Sequence, residues 1–355
     1  MTTVALDGCG AERGPEAIVA GVRAAASDGI QLRVFGDPDA LAAVEGIGGA
    51  ELIPVTEQIT NAEEPVAAVR SRPEASVVRA ARDVAEGRSH ALASAGPTGA
   101  TMTAALFTLR RLQGVRRPAL ALQIIVPGRR GPPTLLLDVG ANSEARAVDL
   151  VQFAYLGAAF SEAVLEVERP RVALLSVGEE SGKGRSEVVE AHERLAASAK
   201  REQGGPGFGI DFRGNVEGRD LLAGTADVIV TDGFTGNVVL KTIEGTAKAV
   251  ADAVRAAARA GPRAAAGGLL LRPSLGGLRR QMDPDTTGGA ILLGLRGVAV
   301  VGHGSSGPKG IANAVRLASR AVDERAVERT SSLLRRSGIT RGAMRLDASQ
   351  VTGEA

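Results

Sequence analysis

Seven short, glycine-rich stretches hold most of the side chains in this sequence that suit binding an anion or polarising a carbonyl. They are Asp7-Gly-Cys-Gly-Ala-Glu-Arg-Gly14, Ser94-Ala-Gly-Pro-Thr-Gly-Ala100, Asp138-Val-Gly-Ala-Asn142, Gly178-Glu-Glu-Ser-Gly-Lys-Gly184, Arg213-Gly-Asn-Val-Glu-Gly-Arg-Asp220, Asp232-Gly-Phe-Thr-Gly-Asn237 and Gly302-His-Gly-Ser-Ser-Gly307. Glycine lets backbone amides come close to an anion, and a helix that starts at such a loop adds free N–H groups with a partial positive charge. Thr98, Asn142, Asn215 and Asn237 add neutral donors, while Lys183 and Lys241 add point charges. One loop of this kind is weak evidence, because glycine also serves ordinary turns. Seven in one chain describe a site for a phosphate group and a carbonyl oxygen. The lysines carry extra weight, since the chain has only five (Lys183, Lys200, Lys241, Lys248 and Lys309) against 37 arginines. A compact ammonium does different work from a planar guanidinium.

Other chemistries fit the spacing less well. A dinucleotide site would use Gly8, Gly10 and Gly14 with Asp37 as the ribose ligand, but its third glycine falls one residue late. A phosphate loop of the Walker type fails at Gly178–Gly184, which has one residue too few and no Ser or Thr after the lysine. No serine sits in a G-x-S-x-G elbow. His90, His192 and His303 share no ligand spacing, so neither a metal nor a cofactor is expected. His192 reads as a solvated helical residue. His303, between two glycines, is either a donor to phosphate or oxyanion, or a hydrogen-bonded turn histidine. Cys9 reads as a small buried thiol, and as the single cysteine it excludes a disulfide framework and suits a reducing cytoplasm.

The loops need a scaffold, and the apolar pattern supplies one. Val4–Asp7, Leu32–Asp37, Leu52–Val55, Ala91–Ala95, Ala119–Val126, Leu135–Val139, Val172–Val177, Asp227–Thr231 and Val298–Val301 read as buried strands alternating with amphipathic helices. The clearest helix is Ile243–Ala260, with Ile243, Ala247, Val250, Val254 and Ala257 on one stripe, stopped by Gly261-Pro262. Such alternation predicts an α/β fold with a largely parallel sheet, in which ligands bind at the carboxyl ends of the strands. The chain has 355 residues, 44% hydrophobic and 23% charged, enough for one large domain or two lobes. Its 42 cations nearly balance its 40 anions and aromatics are only 2%, so no nucleic-acid partner is expected. No apolar run reads as a membrane span, and the first residues lack a signal-peptide pattern. Residues 264–280 break the pattern with Leu269, Leu270, Leu271 and three arginines. They form either a loop packed under its own leucines or an amphipathic element on an anionic membrane surface. Residues 323–355 read as a terminal helix that frays into a mobile tail.

In order along the chain, these residues resemble a known family. The set comprises Leu6-Asp7, Gly14-Pro15, Ser94-Ala-Gly-x-Thr-Gly-Ala100, Arg117-Pro-Ala119, Leu136-Leu-Asp-Val-Gly-Ala-Asn142, Gln152-Phe-Ala154, Gly178-Glu-Glu180, Lys183-Gly184, Gly214-Asn-Val-Glu-Gly-Arg-Asp220, Asp232-Gly-Phe-x-Gly-Asn237, Leu240-Lys241, Glu244-Gly245, Gly288-Gly-Ala290, Leu293-Gly-Leu295 and His303-Gly-Ser-Ser306. From about residue 4 to 320 it is similar to the bacterial phosphate acyltransferases of phospholipid synthesis. The resemblance implies a three-layer α/β/α fold related to phosphotransacetylases and isopropylmalate dehydrogenase. It implies a catalytic unit over residues 1–322, with 262–287 as a membrane-facing insertion marked by Leu269, Leu270 and Leu271. The implied activity is transfer of a fatty acyl group from acyl-acyl carrier protein to inorganic phosphate. The implied setting is a cytoplasmic homodimer at the inner membrane face, feeding a membrane acyl phosphate:glycerol-3-phosphate acyltransferase. The chain departs from the family pattern at Glu12, Arg13, Pro97 and Arg185. Two alternatives stay open: an enzyme of the phosphotransacetylase kind that uses acyl-coenzyme A, and a weakly active paralogue that acts as a membrane or partner scaffold.

For the acyl-transfer reading, Lys183, Asn237, Asn215 and His303 are expected to act on phosphate and the transition state. Asp7, Gly96, Thr98, Gly99, Asn142, Lys241 and Ser305 are expected around phosphate and substrate, Lys241 having an equal claim to a purely structural role. An acidic carrier protein would meet an arginine face, for which Arg110, Arg111, Arg116, Arg117, Arg129 and Arg130 are candidates.

Overall fold

The computed structural model describes residues 1–126, 128–129, 131–202, 210–281 and 283–339. Eleven strands form one sheet: β1 (Thr3–Asp7), β2 (Gln31–Gly36), β3 (Ala50–Pro54), β4 (Ala91–Ser94), β5 (Ala119–Ile124), β6 (Thr134–Leu137), β7 (Arg171–Leu175), β8 (Asp211–Val216), β9 (Val228–Val230), β10 (Ala290–Leu293) and β11 (Val298–Val301). Their order across the sheet is β3-β2-β1-β4-β11-β10-β5-β6-β9-β7-β8. Helices α1 (Gly14–Ala26), α2 (Pro65–Ser71), α3 (Ser76–Ala85), α4 (Thr98–Leu109), α5 (Ala147–Val164), α6 (Ser186–Glu202), α7 (Gly233–Ala257), α8 (Pro262–Gln281), α9 (Pro308–Asp323) and α10 (Ala326–Arg336) complete the chain. One sheet face packs its alternate residues on α1, α5, α6, α9 and α10. The other packs on α2, α3, α4 and the start of α7. The result is the expected three-layer α/β/α arrangement.

All nine expected strands are present, and β8 and β10 are additional. In β8, Gly214 has φ +86 and the β7–β8 register shifts, so the segment lacks the plain apolar run that marks a strand. β10 holds only four residues directly after Gly288-Gly289.

The sheet is not uniformly directed. β1, β2, β3, β4 and β11 are mutually parallel, but β10 runs against β11 and β5, and β6 runs against β5. β6, β9, β7 and β8 are again parallel to one another. The carboxyl ends of β1, β4 and β11 therefore lie at one edge of the sheet, and those of β6, β7, β8 and β9 at the opposite edge. The glycine loops fall into two groups rather than one.

Three helices differ from the sequence reading. α5 is long and apolar enough to cross a membrane by length and composition, but it is buried in the core, where it carries Phe153, Tyr155 and Phe160. α7 begins ten residues earlier than expected, because Asp232 caps it by accepting the Thr235 N–H at 2.9 Å. Along its expected buried stripe Ile243 and Ala247 are half-buried, while Val250 and Val254 are exposed. α10 does not fray. Leu333 and Leu334 are buried, and Arg329 donates to the Ala163 carbonyl of α5 at 3.2 Å. The rest of the expected tail, residues 340–355, lies outside the described residues.

Candidate active site

The first loop group is ordered by one buried carboxylate. Asp7, at the end of β1, accepts the Ser94 hydroxyl at 2.8 Å and the Cys9 N–H at 3.2 Å. Burial pushes its carboxyl above the usual range, against the pull of hydrogen bonds from Ser76, Ser94 and Cys9. Ser94 Oγ in turn accepts the Gly96 N–H and the Thr101 hydroxyl, each at 3.0 Å. The loop after β11 is laced to the same place, since Gly302 N–H donates to the Ser94 carbonyl at 2.7 Å and Glu12 N–H to the Gly304 carbonyl at 3.0 Å. Asp7 and Gly96 were expected on phosphate. Both instead spend their polar atoms inside the protein, where they fix the loop. What remains is the start of α4, where Pro97 is the N-cap without a side-chain cap bond. The N–H groups of Thr98, Gly99 and Ala100 have no acceptor among the described residues. Pro97 removes none of these three donors.

The second group is organised by Asp138. Its carboxylate accepts the N–H groups of Leu120, Gly140, Ala141 and Asn142 at 2.7–3.1 Å and the Asn142 side-chain amide at 2.8 Å. Burial pushes this carboxyl up too, and the N–H donors oppose it. Asn142 was expected to face substrate, but its Nδ2 is committed to Asp138 and the Pro118 carbonyl. It braces the loop instead. Asn215, also expected as a direct participant, is buried. Its Nδ2 donates to the Glu180 carbonyl at 2.8 Å, and its Oδ1 meets His192 Nδ1 at 3.1 Å. His192 is accordingly half-buried against Asn215 and edge-on to Phe212, not solvated. By holding Glu180, Asn215 shapes the turn that presents Lys183. The Lys183 ammonium is exposed and makes no ion pair among the described residues. Arg185 pairs with Asp232, the cap of α7, and so ties this turn to the start of that helix. Gly236 is required there, because a side chain would collide with the Asp138 carbonyl.

α7 joins the two groups. Asn237 and Lys241 lie four residues apart on one exposed face of its first turns. Lys241 Nζ donates to Glu244 Oε2 at 2.9 Å and approaches His303 Nε2 at 3.4 Å. His303 Nδ1 accepts the Ser305 N–H at 3.3 Å and lies 2.7 Å from Ser305 Oγ. Nδ1 is therefore an acceptor, and Nε2 is the ring nitrogen that faces Lys241 and Glu244. Glu244 Oε1 is 3.8 Å from that nitrogen. His303 is thus a hydrogen-bonded turn histidine that also contacts Lys241, and Lys241 reaches from α7 to the loop after β11. Glu244 was missed as a site residue, although its spacing of three from Lys241 was available in the sequence. The contacts link Lys241 and Glu244 of α7 to His303 and Ser305 of the loop after β11, and that loop through Gly302 to Ser94 of the loop before α4.

A family model described as "Fatty acid synthesis protein" matches residues 2–329. A "Phosphate acyltransferase" of Thermobifida fusca is 42% identical over 344 residues, which cover 95% of this chain and 92% of the relative. One of Heliobacterium modesticaldum is 42% identical over 328 residues, covering 90% and 94%. The chain belongs to the phosphate acyltransferase family. In fold alone it is similar to a phosphotransacetylase from Streptococcus pyogenes, with a TM-score of 0.58 at 15% identity over 92% of this chain and 94% of that one.

Most of the arginines expected to receive an acidic carrier have partners within the protein. Arg116 is spent on buried Asp149, at 2.6 and 3.0 Å. Arg111 donates to the Arg116 carbonyl, Arg117 to the Glu144 carbonyl at 3.3 Å, and Arg129 to the Gly224 carbonyl at 2.8 Å. Arg110 is exposed and makes no ion pair among the described residues, while Arg130 lies outside them. Leu269, Leu270 and Leu271 sit on α8 and are 67%, 82% and 58% exposed, so they do not pack beneath a loop.

Proposed function

We propose that this chain transfers a fatty acyl group, reversibly, from acyl-acyl carrier protein to inorganic phosphate and so makes acyl phosphate for phospholipid synthesis. What carries this reading is the family relationship along nearly the whole chain, and the site supplies the chemistry it needs. A phosphate oxygen attacks the thioester carbonyl carbon, a tetrahedral oxyanion forms, and the C–S bond breaks to release the carrier's thiolate. A thiol of pKa about 8.5 leaves with little acid assistance. Phosphate is itself the nucleophile, so the protein's task is positioning and electrostatics. In this reading the N–H groups of Thr98, Gly99 and Ala100, with the Thr98 hydroxyl, cradle phosphate. Lys183 and Asn237 contact phosphate and the developing oxyanion. Lys241, His303 and Ser305 form the facing wall, with Glu244 aiming the first two. Asp7, Gly96, Asn142 and Asn215 act at one remove by holding these groups in place.

The exposed leucines of α8 face an anionic membrane surface, and a second copy of the chain covers the exposed apolar residues of α7, among them Phe234 and Val238. The product then meets a membrane acyl phosphate:glycerol-3-phosphate acyltransferase at the cytoplasmic face. The test is phosphate-dependent acyl phosphate formation by the purified protein, with acyl-acyl carrier protein and acyl-coenzyme A compared as donors. The carrier thioester is expected to give the higher kcat/KM. Preference for coenzyme A would reassign the donor, and lipid binding without turnover from either donor would favour the scaffold.

A further inference from the structure

A cavity of about 410 Å³ opens over the loop that leaves β1, among Cys9, Asp37, Leu41, Gln58, Asn61 and Pro97. Pro97 is the residue just before the α4 N–H groups assigned to phosphate, so cavity and cradle share a wall. The cavity's charge is one-sided. No lysine, arginine or histidine lines it, Asp37 stands in its wall, and Asp7 lies under Cys9 and accepts that residue's N–H. A phosphorylated or carboxylated ligand would find no cationic side chain among the lining residues and two carboxylates close by. A nucleotide, which a glycine loop followed by a carboxylate after β2 would otherwise suit, has no cation here to receive its phosphates.

Neutral chemistry is well served. Leu41 and Ile59 are buried in the lining, which gives an apolar floor. The side-chain amides of Gln58 and Asn61, and the N–H groups of Gly10 and Ala11, have no hydrogen-bond partner among the described residues. An extended ligand with alternating amide and aliphatic segments matches this lining. We infer that the cavity receives the uncharged, amide-bearing arm of the thioester donor, of the pantetheine class, with its sulfur end at Pro97 beside the start of α4. This rests on the acyl-transfer reading above, and it adds which face of the protein the donor approaches: across the β1, β2 and β3 ends, not across the arginines near residue 116.

Cys9 makes the inference measurable, because it is the chain's single cysteine and it lines the cavity. Burial, and next the Asp7 charge, push its thiol up, so alkylation by iodoacetamide is followed at alkaline pH. Saturating decanoyl-pantetheine is expected to slow alkylation of the full-length protein about tenfold, whereas inorganic phosphate or decanoate alone leaves the rate unchanged. Ala40→Trp, at an exposed position in the lining, is expected to raise KM for the thioester about tenfold with KM for phosphate unchanged, the scale of one lost good contact. Turnover of decanoyl-pantetheine without protection of Cys9 would overturn the inference while leaving the reaction intact. Protection without turnover would keep the cavity and remove the reaction.

Discussion

At the ends of β1, β4 and β11 the site is built from backbone amides and hydroxyls, ordered by the buried Asp7. At the ends of β6, β7 and β9 it is built from Lys183, Arg185 and Asp232, ordered by the buried Asp138. The two halves solve the same problem with different materials. Amides fixed by a helix start and a serine network point at an anion without rearranging. Ammonium groups on flexible stems follow charge as it moves from phosphate to the breaking thioester. The difference argues for a division of labour, in which the neutral half sets position and the charged half responds to the reaction. α7 makes this possible, since Lys241 rises from one group and meets His303 of the other.

Removing charge from the second half is expected to have the largest effect. Lys183→Ala is expected to lower kcat by about 10²–10³, the cost of one transition-state donor, with thermal unfolding unchanged. Near-full turnover would cancel the assignment. Next in size is the organiser of that half. Asp138→Ala strands four N–H groups and the Asn142 amide, and should cost about 2–4 kcal/mol of stability in urea unfolding. A variant as stable as the parent would show that the loop does not depend on its carboxylate. Glu244→Gln keeps shape but removes the charge that holds Lys241 beside His303. Its expected effect is a loss of about tenfold in kcat with little change in KM for the thioester. Unchanged kcat would reduce Glu244 to a helix-surface residue.

Acid should separate structural ion pairs from these two organisers. Burial pulls the Asp227 carboxyl up, but hydrogen bonds and charge from Arg171 outweigh it and hold the group below its usual value. Asp83 behaves alike, through Arg88, Ser89 and Arg33. Both contribute stability that is present above the unfolded pKa and lost as pH falls through the folded one. Asp7 and Asp138 are raised, so their burial cost is relieved as pH falls. In acid titrations of stability, Asp227→Asn should flatten the decline below about pH 4, and Asp7→Asn should not. The smallest expected effect on chemistry comes from Leu269→Ser, Leu270→Ser and Leu271→Ser combined. Binding to vesicles with anionic lipid should fall, with activity on carrier thioester in solution unchanged.

Much of this was legible in the residues. Apolar runs bounded by glycine marked nine strands, and the glycine loops marked the turns at the strand ends. Sequence periodicity says nothing of strand direction, so the reversal across β10 and β6, and with it the split into two loop groups, stayed hidden. Polar residues at strand ends also look alike in a sequence whether they face a ligand or a neighbour. Asn142 and Asn215 were read as donors to substrate, yet their amides are committed to Asp138, Pro118 and Glu180. The stripe on α7 had the pattern of a core-facing helix, but pattern cannot tell a buried face from an exposed one.

A crystal structure with inorganic phosphate bound decides whether the two groups act on one phosphate. Phosphate is expected within hydrogen-bond distance of the Thr98, Gly99 and Ala100 N–H groups, with an ammonium of Lys183 or Lys241 on its far side. Phosphate held elsewhere, or by one loop group with the other turned away, would contradict it.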